Sequence, residues 1–388
     1  MARFHRALCL LLPALIASCA GPTRAAVVYA TSGYPADLQA AIDSAQTGDT
    51  VFVPAGRFSF EGSVLAPDGI YIKGAGRDRT FLIKDDDTSN FMIMVDSKTG
   101  LPFKFSDITL QGRLDALQGS NRTTAVTTIT DGGLYIRGAA TDFQIFNSRF
   151  TKFLRAGIEF QGDAGSKWGE QRGVIYNNEF IDNWYVYLGY GVAIDGSAST
   201  WTKPVVLGTA NAVFVEDNFF DRNRHCVGAT NGANYVARYN TVKDNYQDSQ
   251  SFDAHGLSPY WPRGTRSVEI YKNTVNNSNK RWAGAGIRGG SGVIWGNTWN
   301  GVSQGVVLYL ESPPPSNPLT TYPALDQIGN PDALYIWNNV SSGGSVYKFP
   351  TSDPHGIEYW LQLGRDYFEA AKPGYRPYTY PHPLRTTN

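Results

Sequence analysis

The feature that decides the fold is a short repeat, and its clearest copy reads Val213-Phe214-Val215-Glu216-Asp217-Asn218-Phe219-Phe220. A run of β-branched and aromatic residues leads to an asparagine, after which a second apolar pair begins. The asparagine recurs after similar runs, with steps of 40, 22, 33, 24 and 41 residues, at Asn178, Asn218, Asn240, Asn273, Asn297 and Asn338. A unit of little more than twenty residues, with insertions in some copies, indicates a solenoid.

We expect the repeated asparagines to stack at one corner of the solenoid. Asparagine tolerates the left-handed conformation, and its amide can bond the backbone and the asparagine of the next coil. This pattern resembles the asparagine ladder of the pectate-lyase-like superfamily. The predicted helix at 37–45 and the strand and turn at 50–56 resemble the N-terminal cap and first coil of that superfamily. The resemblance implies an all-β, single-stranded, right-handed parallel β-helix. A propeller or sandwich is the competing fold, but units of 22 and 24 residues are short for a four-stranded blade.

The chain is predicted to have three parts. Residues 1–26 read as a signal peptide with a basic start and an apolar stretch too short to span a bilayer comfortably. Residues 27–350 hold the β-helix. Residues 351–388, rich in proline and aromatics, are predicted to cap the open end, with a carbohydrate-binding tail as the alternative. We therefore expect an exported protein that is periplasmic, anchored to the outer membrane or extracellular.

Cysteine usage bears on anchoring and on stability. Ile16-Ala17-Ser18-Cys19 resembles a lipobox, which would make Cys19 a lipid anchor and the protein's membrane contact; ordinary cleavage after Ala20 or Ala25 is the other interpretation. Cys226 stands alone in the mature chain, so no intramolecular disulfide is expected.

Charge and composition indicate which classes of partner the protein is expected to bind. Lysine plus arginine and aspartate plus glutamate number 34 each, which gives a net charge of zero and does not favour nucleic acid. We predict a monomer whose partner is an acidic polysaccharide. The sequence shows no calcium-type cluster of carboxylates, so neither a metal nor a cofactor is predicted.

A second series of strands ends in glycine and carries polar residues one position earlier. Aligned on that glycine, the slot holds Gln161, Asp195, Asn231, His255 and Arg288 in five successive coils. Because coils stack about 4.8 Å apart, the slot predicts a polar stripe along the solenoid axis. Asp253 lies two residues before His255, on the same strand face, and Glu159 holds the matching place lower down. Outward strand positions are ordinarily polar, so a solvated ladder is the alternative for much of this stripe.

Long insertions after these strands are expected to wall a groove beside the stripe. They carry aromatic and guanidinium groups, which suit sugar faces and carboxylates. The predicted substrate-binding residues are Asp195, Asn231, Tyr260, Trp261, Arg263 and Arg266. Packing of the loop on itself is the alternative for Tyr260-Trp261-Pro262-Arg263.

The predicted catalytic residues are Asp253, His255, Arg288 and His225. Eliminative cleavage of a uronate polymer needs a base for the C5 proton, a cation near the carboxylate and an acid for the leaving oxygen. His255 oriented by Asp253 would be the base, Arg288 alone or with Arg263 the cation, and Tyr260 or His225 the acid. Asp253-Ala254-His255-Gly256 also resembles the Asp-Pro-His-Asp motif of mannuronan C5-epimerases, with alanine for proline and glycine for the final aspartate.

These observations predict a polysaccharide lyase. Three alternatives stay open: a glycoside hydrolase, a C5-epimerase on the same fold, and a non-catalytic surface protein that binds polysaccharide. Asp195 and Asp253 are expected two coils, or roughly 10 Å, apart. That distance slightly exceeds the carboxylate separation of inverting hydrolases.

Overall fold

The structure is a computed structural model that describes residues 25–162, 170–246, 249–257, 260–311 and 321–386. The predicted signal peptide, up to residue 24, and Cys19 lie outside the described residues. Within them, no helix is long and apolar enough to cross a membrane. Cys226 is a buried free thiol.

The chain winds as a right-handed parallel β-helix with three faces, which confirms the predicted fold. Right-handed crossovers are the rule for parallel strands. Each pairing between coils is parallel, as in the register of Val213–Glu216 with Arg172–Tyr176 and with Asn234–Arg238. The strands of the first face are Val27–Tyr29, Thr50–Val53, Tyr71–Gly74, Lys104–Ser106, Thr141–Phe146, Arg172–Tyr176, Val213–Glu216, Asn234–Arg238, Ser267–Tyr271, Ser291–Trp295, Leu334–Trp337 and Tyr367–Phe368.

The second and third faces belong to one sheet, because Thr274–Ile287 and Thr298–Leu308 each run through both. The other strands of the second face are Gly56–Phe60, Thr80–Lys84, Thr109–Gln111, Arg149–Thr151, Glu179–Ile181, Phe219–Asp221, Thr241–Val242 and Val340–Ser341. Those of the third face are Val64–Pro67, Phe91–Ser97, Gly132–Gly138, Ala156–Gln161, Tyr190–Asp195, His225–Thr230, Gln250–Ala254 and Gly344–Lys348.

The core is a set of side-chain stacks that run along the axis. Phe150, Phe180 and Phe220 occupy one position in three successive coils, with neighbouring ring centroids 5.2 and 4.8 Å apart. All three rings are fully buried. Such offset aromatic contacts add to the free energy of burying the rings. The residue two positions after each ladder position therefore supplies the core of the second face.

A ladder of buried asparagines marks the corner between the first and second faces. Asn218 donates from its side-chain amide to Asn240 Oδ1 at 3.1 Å, and Asn240 donates to Asn273 Oδ1 at 2.9 Å. At the last coil the ladder residue is Asn339, so the predicted Asn338 is one position early. The left-handed residue is the one before each ladder asparagine, as at Asp217 with φ 54° and Asn338 with φ 51°.

Replacing Asn240 with alanine should lower the free energy of unfolding by about 1–3 kcal/mol, the cost of leaving buried backbone groups unpaired. The amide of Asn240 donates to the Val215 carbonyl at 2.8 Å, and its Oδ1 accepts from the Asn218 backbone N–H at 3.0 Å. Asn300→Ala is the matched control, since Asn300 is exposed and bonds Asn276 on the surface. Equal denaturation midpoints for the two variants would contradict a stabilising ladder.

Both ends of the helix are covered. The α-helix Pro35–Ser44 buries Leu38, Ala41 and Ile42 at the N-terminal end, as the cap prediction proposed. At the other end Trp360 and Leu361 are fully buried in the core. The short helices are Leu114–Leu117 and Ile357–Trp360, with 3-10 turns at Ala198–Thr202 and Pro383–Thr386.

The C-terminal segment differs in part from the predicted cap. Residues 372–386 run back along the outside of the first face. Tyr375 Oη contacts Glu269, Arg385 Nη1 donates to Glu216 at 2.8 Å, and the Arg385 guanidinium lies 4.6 Å from the Tyr176 ring centroid. This segment covers aromatic stacks on the outside of the first face. One of these stacks includes Tyr271 and Trp295, whose ring centroids are 4.9 Å apart.

Candidate functional site

The polar stripe lies on the third face, with one change in register. Asp195 pairs with Gln161 on one side and with Thr230 on the other. Ala254 pairs with Ala229, so His255 stands beside Thr230. Thr230 therefore fills the slot that was predicted for Asn231. Asn231 follows at a left-handed turn, with φ 49°, and is fully buried, so a direct contact of Asn231 with substrate does not fit the structure.

A pocket of about 690 Å³ lies over this stripe, and we call it the third-face pocket. Its floor comes from the strands Ala156–Gln161, Tyr190–Asp195 and His225–Thr230. Its walls come from the segments around residues 187 and 261. The residues that line it are Arg155, Glu159, Tyr187, Leu188, Tyr190, Ala193, Ile194, Asp195, Gly228, Ala229, Thr230, His255, Tyr260, Trp261 and Glu311.

A cluster of charged groups closes one end of the pocket. His255 Nε2 lies 3.0 Å from Asp253 Oδ2, and Arg288 Nη2 contacts both of these atoms. The strand alternation explains the arrangement, because Ala254 points into the core and leaves Asp253 and His255 together outside. The structure thus brings together Asp253, His255 and Arg288 as predicted.

Glu311 completes the cluster of charged groups, although it lies outside the repeated sequence positions. It follows the end of the strand Thr298–Leu308 and reaches back, so that its Oε2 lies 3.2 Å from His255 Nδ1 and 2.5 Å from Arg288 Nη1. His255 and Glu311 line the pocket, whereas Asp253 and Arg288 do not. Nδ1 is therefore the imidazole nitrogen on the pocket side, and Nε2 faces the protein interior.

The protonation of the cluster follows from its contacts. Burial would raise the pKa of Asp253, but the positive charges of Arg288 and His255 hold it well below its usual range. Burial and the charge of Arg288 lower the pKa of His255. The carboxylates of Asp253 and Glu311 raise it by a larger amount, so the net shift of the pKa is upward. His255 and Arg288 likewise outweigh burial and lower the pKa of Glu311. Two ionised carboxylates thus hold an imidazole with a strong tendency to be protonated.

His225 lies beneath this cluster and outside the pocket lining. It is 1% exposed, and its ring stacks on Tyr190 with centroids 5.3 Å apart. Its Nδ1 lies 2.8 Å from the Gln250 carbonyl oxygen, which can only accept, so Nδ1 carries the proton. Burial holds the pKa of His225 well below its usual range. His225 is thus placed behind the pocket, and the predicted direct proton donation to substrate does not fit that position.

Asp195 occupies the middle of the pocket floor. Burial raises the pKa of Asp195 to about 8; the Asn231 side chain lowers it, and the charge of Glu159 raises it further. Its Oδ1 has no hydrogen-bond partner among the described residues. Glu159, at the far end of the pocket, is ionically paired with Arg155 at 2.6 and 2.7 Å. Asp195 is thus a proton-bearing acid at neutral pH, and Glu159 an arginine-paired carboxylate.

The predicted substrate-binding loop divides into two parts. Tyr260 and Trp261 line the pocket, and Tyr260 is 86% exposed. Arg263 and Arg266 instead lie 4.7 and 4.8 Å from the ring centroid of Trp201. Arg263 also pairs with Asp326 at 2.6 Å, and Arg266 is buried beside Asp332. These two arginines pack against Trp201, and for Arg263 loop packing is the alternative that the sequence left open.

Sequence reasoning missed Glu311, Arg155 and Tyr190 because each lies outside the aligned strand positions. The signal for Glu311 was indirect. A side chain at Gly256 would place its Cβ 2.8 Å from Glu311 Cβ, so the glycine after His255 leaves the space through which Glu311 approaches. Within the described ranges, no three histidine, cysteine, aspartate or glutamate side chains are arranged to hold a metal ion.

No protein-family model matches the sequence, and no curated protein sequence is significantly similar to it. Solved structures with similar coordinates include an alginate lyase from Paenibacillus sp. FPU-7, with 12% identity, a TM-score of 0.44, and coverage of 84% of this chain and 98% of that one. The A-module of an Azotobacter vinelandii mannuronan C-5 epimerase is 15% identical, with a TM-score of 0.39 and coverage of 81% and 93%. An α-1,3-glucanase from Streptomyces thermodiastaticus is 13% identical, with a TM-score of 0.43 and coverage of 86% and 67%.

Proposed function

We propose that the protein is a lyase that cleaves a uronate-containing polysaccharide lying along the third face. The observation that carries the proposal is the placement of His255 and Asp195 in one pocket. His255 stands beside Thr230, and Thr230 beside Asp195, so the two Cα atoms are about 10 Å apart along the axis. This separation along the axis leaves room for a pyranose ring between the two side chains, which line the same pocket.

The proposed elimination has two proton transfers, one from C5 and one to the leaving oxygen, and each uses a different side chain. His255 in its neutral form takes the C5 proton through Nδ1, and the C5–H electron pair becomes the C4–C5 double bond. The C4–O bond breaks, and the leaving oxygen takes the proton of Asp195. Such positioned proton transfers typically contribute about 10²–10⁴-fold each. Water is not consumed.

The remaining pocket groups fit a sugar chain with carboxylates. Arg155 lines the pocket and supplies a guanidinium for a uronate carboxylate. Arg288, predicted as that cation, acts instead through His255 and Glu311, since its side chain is 10% exposed and lies outside the lining. Tyr187, Tyr190, Tyr260 and Trp261 offer ring faces for sugars. Export, expected from residues 1–26, is part of the proposal because it would deliver the protein to such polymers.

Incubation with alginate, pectate or a glycosaminoglycan should produce the ultraviolet absorbance of a conjugated unsaturated uronate. One new double bond is expected for each new reducing end. Reducing ends without that absorbance would exclude elimination and indicate hydrolysis. Neither product, together with retained binding of the polymer, would indicate a non-catalytic binding protein.

Hydrolysis is the second candidate, and Glu159 favours it. Glu159 pairs with Ala193, which places it one coil and two residues from Asp195, with Cα atoms about 8 Å apart. A protonated carboxyl and an ionised one across a glycosidic bond are what an inverting hydrolase needs. Elimination would use Asp195 with His255, whereas hydrolysis would use Asp195 with Glu159. Glu159→Gln would therefore abolish hydrolysis and leave the proton transfer to His255 in place.

A further inference from the structure

His255 is held on both sides, and the two sides have different origins in the chain. Asp253 lies two residues before His255. Because alternate side chains of a strand share a face, its carboxylate lies beside Nε2 of the imidazole. Glu311 comes from beyond the strand Thr298–Leu308 and meets Nδ1 at 3.2 Å. The groups that set the charge around the imidazole are Asp253, Arg288 and Glu311, with the titratable side chains of Tyr309, His225 and Tyr260 in the surrounding elements.

Arg288 fixes Glu311 where it can act on His255. The guanidinium donates from Nη1 to Glu311 Oε2 at 2.5 Å, and its Nη2 contacts Asp253. Its position is itself fixed, because the Arg288 backbone N–H donates to the Ala254 carbonyl at 2.9 Å, in the parallel ladder. One side chain thus ties both carboxylates to the imidazole.

Gly256 is the second independent sign that this contact is built into the fold. A Cβ at position 256 would lie 2.8 Å from Glu311 Cβ and 2.6 Å from the Arg288 carbonyl oxygen. Such distances are too short for any side chain, so residue 256 must be glycine for the segment that carries Glu311 to lie against His255.

We propose that Glu311 is a positioning residue for the base of the elimination. It orients the imidazole of His255, and its negative charge favours the uptake of the C5 proton by the neutral ring. The inference builds on the proposed elimination, but its geometric part concerns His255 alone. Without Glu311, Nδ1 would face the open pocket, and the imidazole would be held by Asp253 and Arg288 only.

The test is a pH titration of the histidine ring nitrogens by NMR in the full chain, comparing wild type with Glu311→Gln. Removing the negative charge should move the midpoint of His255 to lower pH, because the imidazolium loses one of its two carboxylates. His355, which pairs with Asp353 on the surface, is the internal reference and should not move. Glu358→Gln is the control variant, since Glu358 is an exposed carboxylate paired with Lys348.

Activity supplies a second readout. The acidic limb of the kcat/KM profile should move to lower pH in Glu311→Gln, in step with the NMR midpoint, while kcat at the plateau falls about tenfold or more. Glu311→Asp keeps the negative charge but moves it away from Nδ1, so its His255 midpoint should lie between those of wild type and Glu311→Gln. If Glu311→Gln does not fold, Glu311→Asp takes its place in the test. An unchanged His255 midpoint in either folded variant would overturn the proposal, whatever the activity. A shifted midpoint in a protein that generates no unsaturated product would support the contact and refute the elimination.

Discussion

Replacing His255 with glutamine should lower kcat on the uronate polymer by about 10²–10⁴-fold, the range expected when a positioned proton acceptor is lost. Glutamine retains hydrogen-bonding groups of similar reach, but it cannot accept the C5 proton. The fold should persist, because Asp253 and Glu311 each keep an ion pair with Arg288. KM should change little, since the aromatic walls and Arg155 remain in place. The measurement is initial rates of unsaturated product, with thermal unfolding to verify the fold.

His355→Gln is the matched control for this variant. His355 also pairs with a carboxylate, Asp353 at 2.9 Å, but it lies on the surface in the C-terminal part of the chain. Its substitution should leave the rate unchanged. A His255→Gln protein that is folded and turns over within about threefold of wild type would remove His255 from the mechanism.

Replacing Arg238 with methionine should lower the free energy of unfolding by about 3–5 kcal/mol, the cost of removing one partner of a buried ion pair. Among its ion pairs, Glu216 would keep only the one with Arg385. Arg238 and Glu216 are both fully buried on the outside of the first face, and Arg238 Nε donates to Glu216 Oε2 at 2.7 Å. The guanidinium also donates to the carbonyls of Tyr378 and Thr379 at 2.7 and 2.8 Å. Its loss therefore weakens the attachment of the C-terminal segment as well.

Denaturant unfolding measures this effect, and three further variants assign its cause: Glu216→Gln, the double variant and Arg172→Met. The double variant Arg238→Met with Glu216→Gln should be less destabilised than the two single changes added together, because no ionised carboxylate is left without Arg238. Arg172→Met removes a surface ion pair with Asp142 and should cost about 0–1 kcal/mol. Equal losses for Arg172→Met and Arg238→Met would contradict a special role for the buried pair.

The fold was determined by local sequence to a large degree. The recurrence of Asn178, Asn218 and their counterparts after apolar runs predicts both the coil length and the ladder, since a buried amide at a corner must find partners in neighbouring coils. The register within a coil was harder to predict. Asn231 was placed one residue from the stripe position that Thr230 fills, and Asn338 one residue from the ladder position that Asn339 fills. A turn can absorb one residue without changing the pattern of apolar side chains.

The candidate site divides in the same way. Asp253 and His255 share a face because strand side chains alternate, and Arg288 joins them because coils stack at a fixed spacing; both relations follow from sequence. Only the tertiary structure decided that Glu311 reaches His255 from a segment outside the repeat, that His225 lies behind the pocket, and that Arg263 and Arg266 pack on Trp201. Backbone periodicity fixes positions along strands, whereas burial, charge pairing and the path of irregular loops depend on contacts between residues distant in the chain.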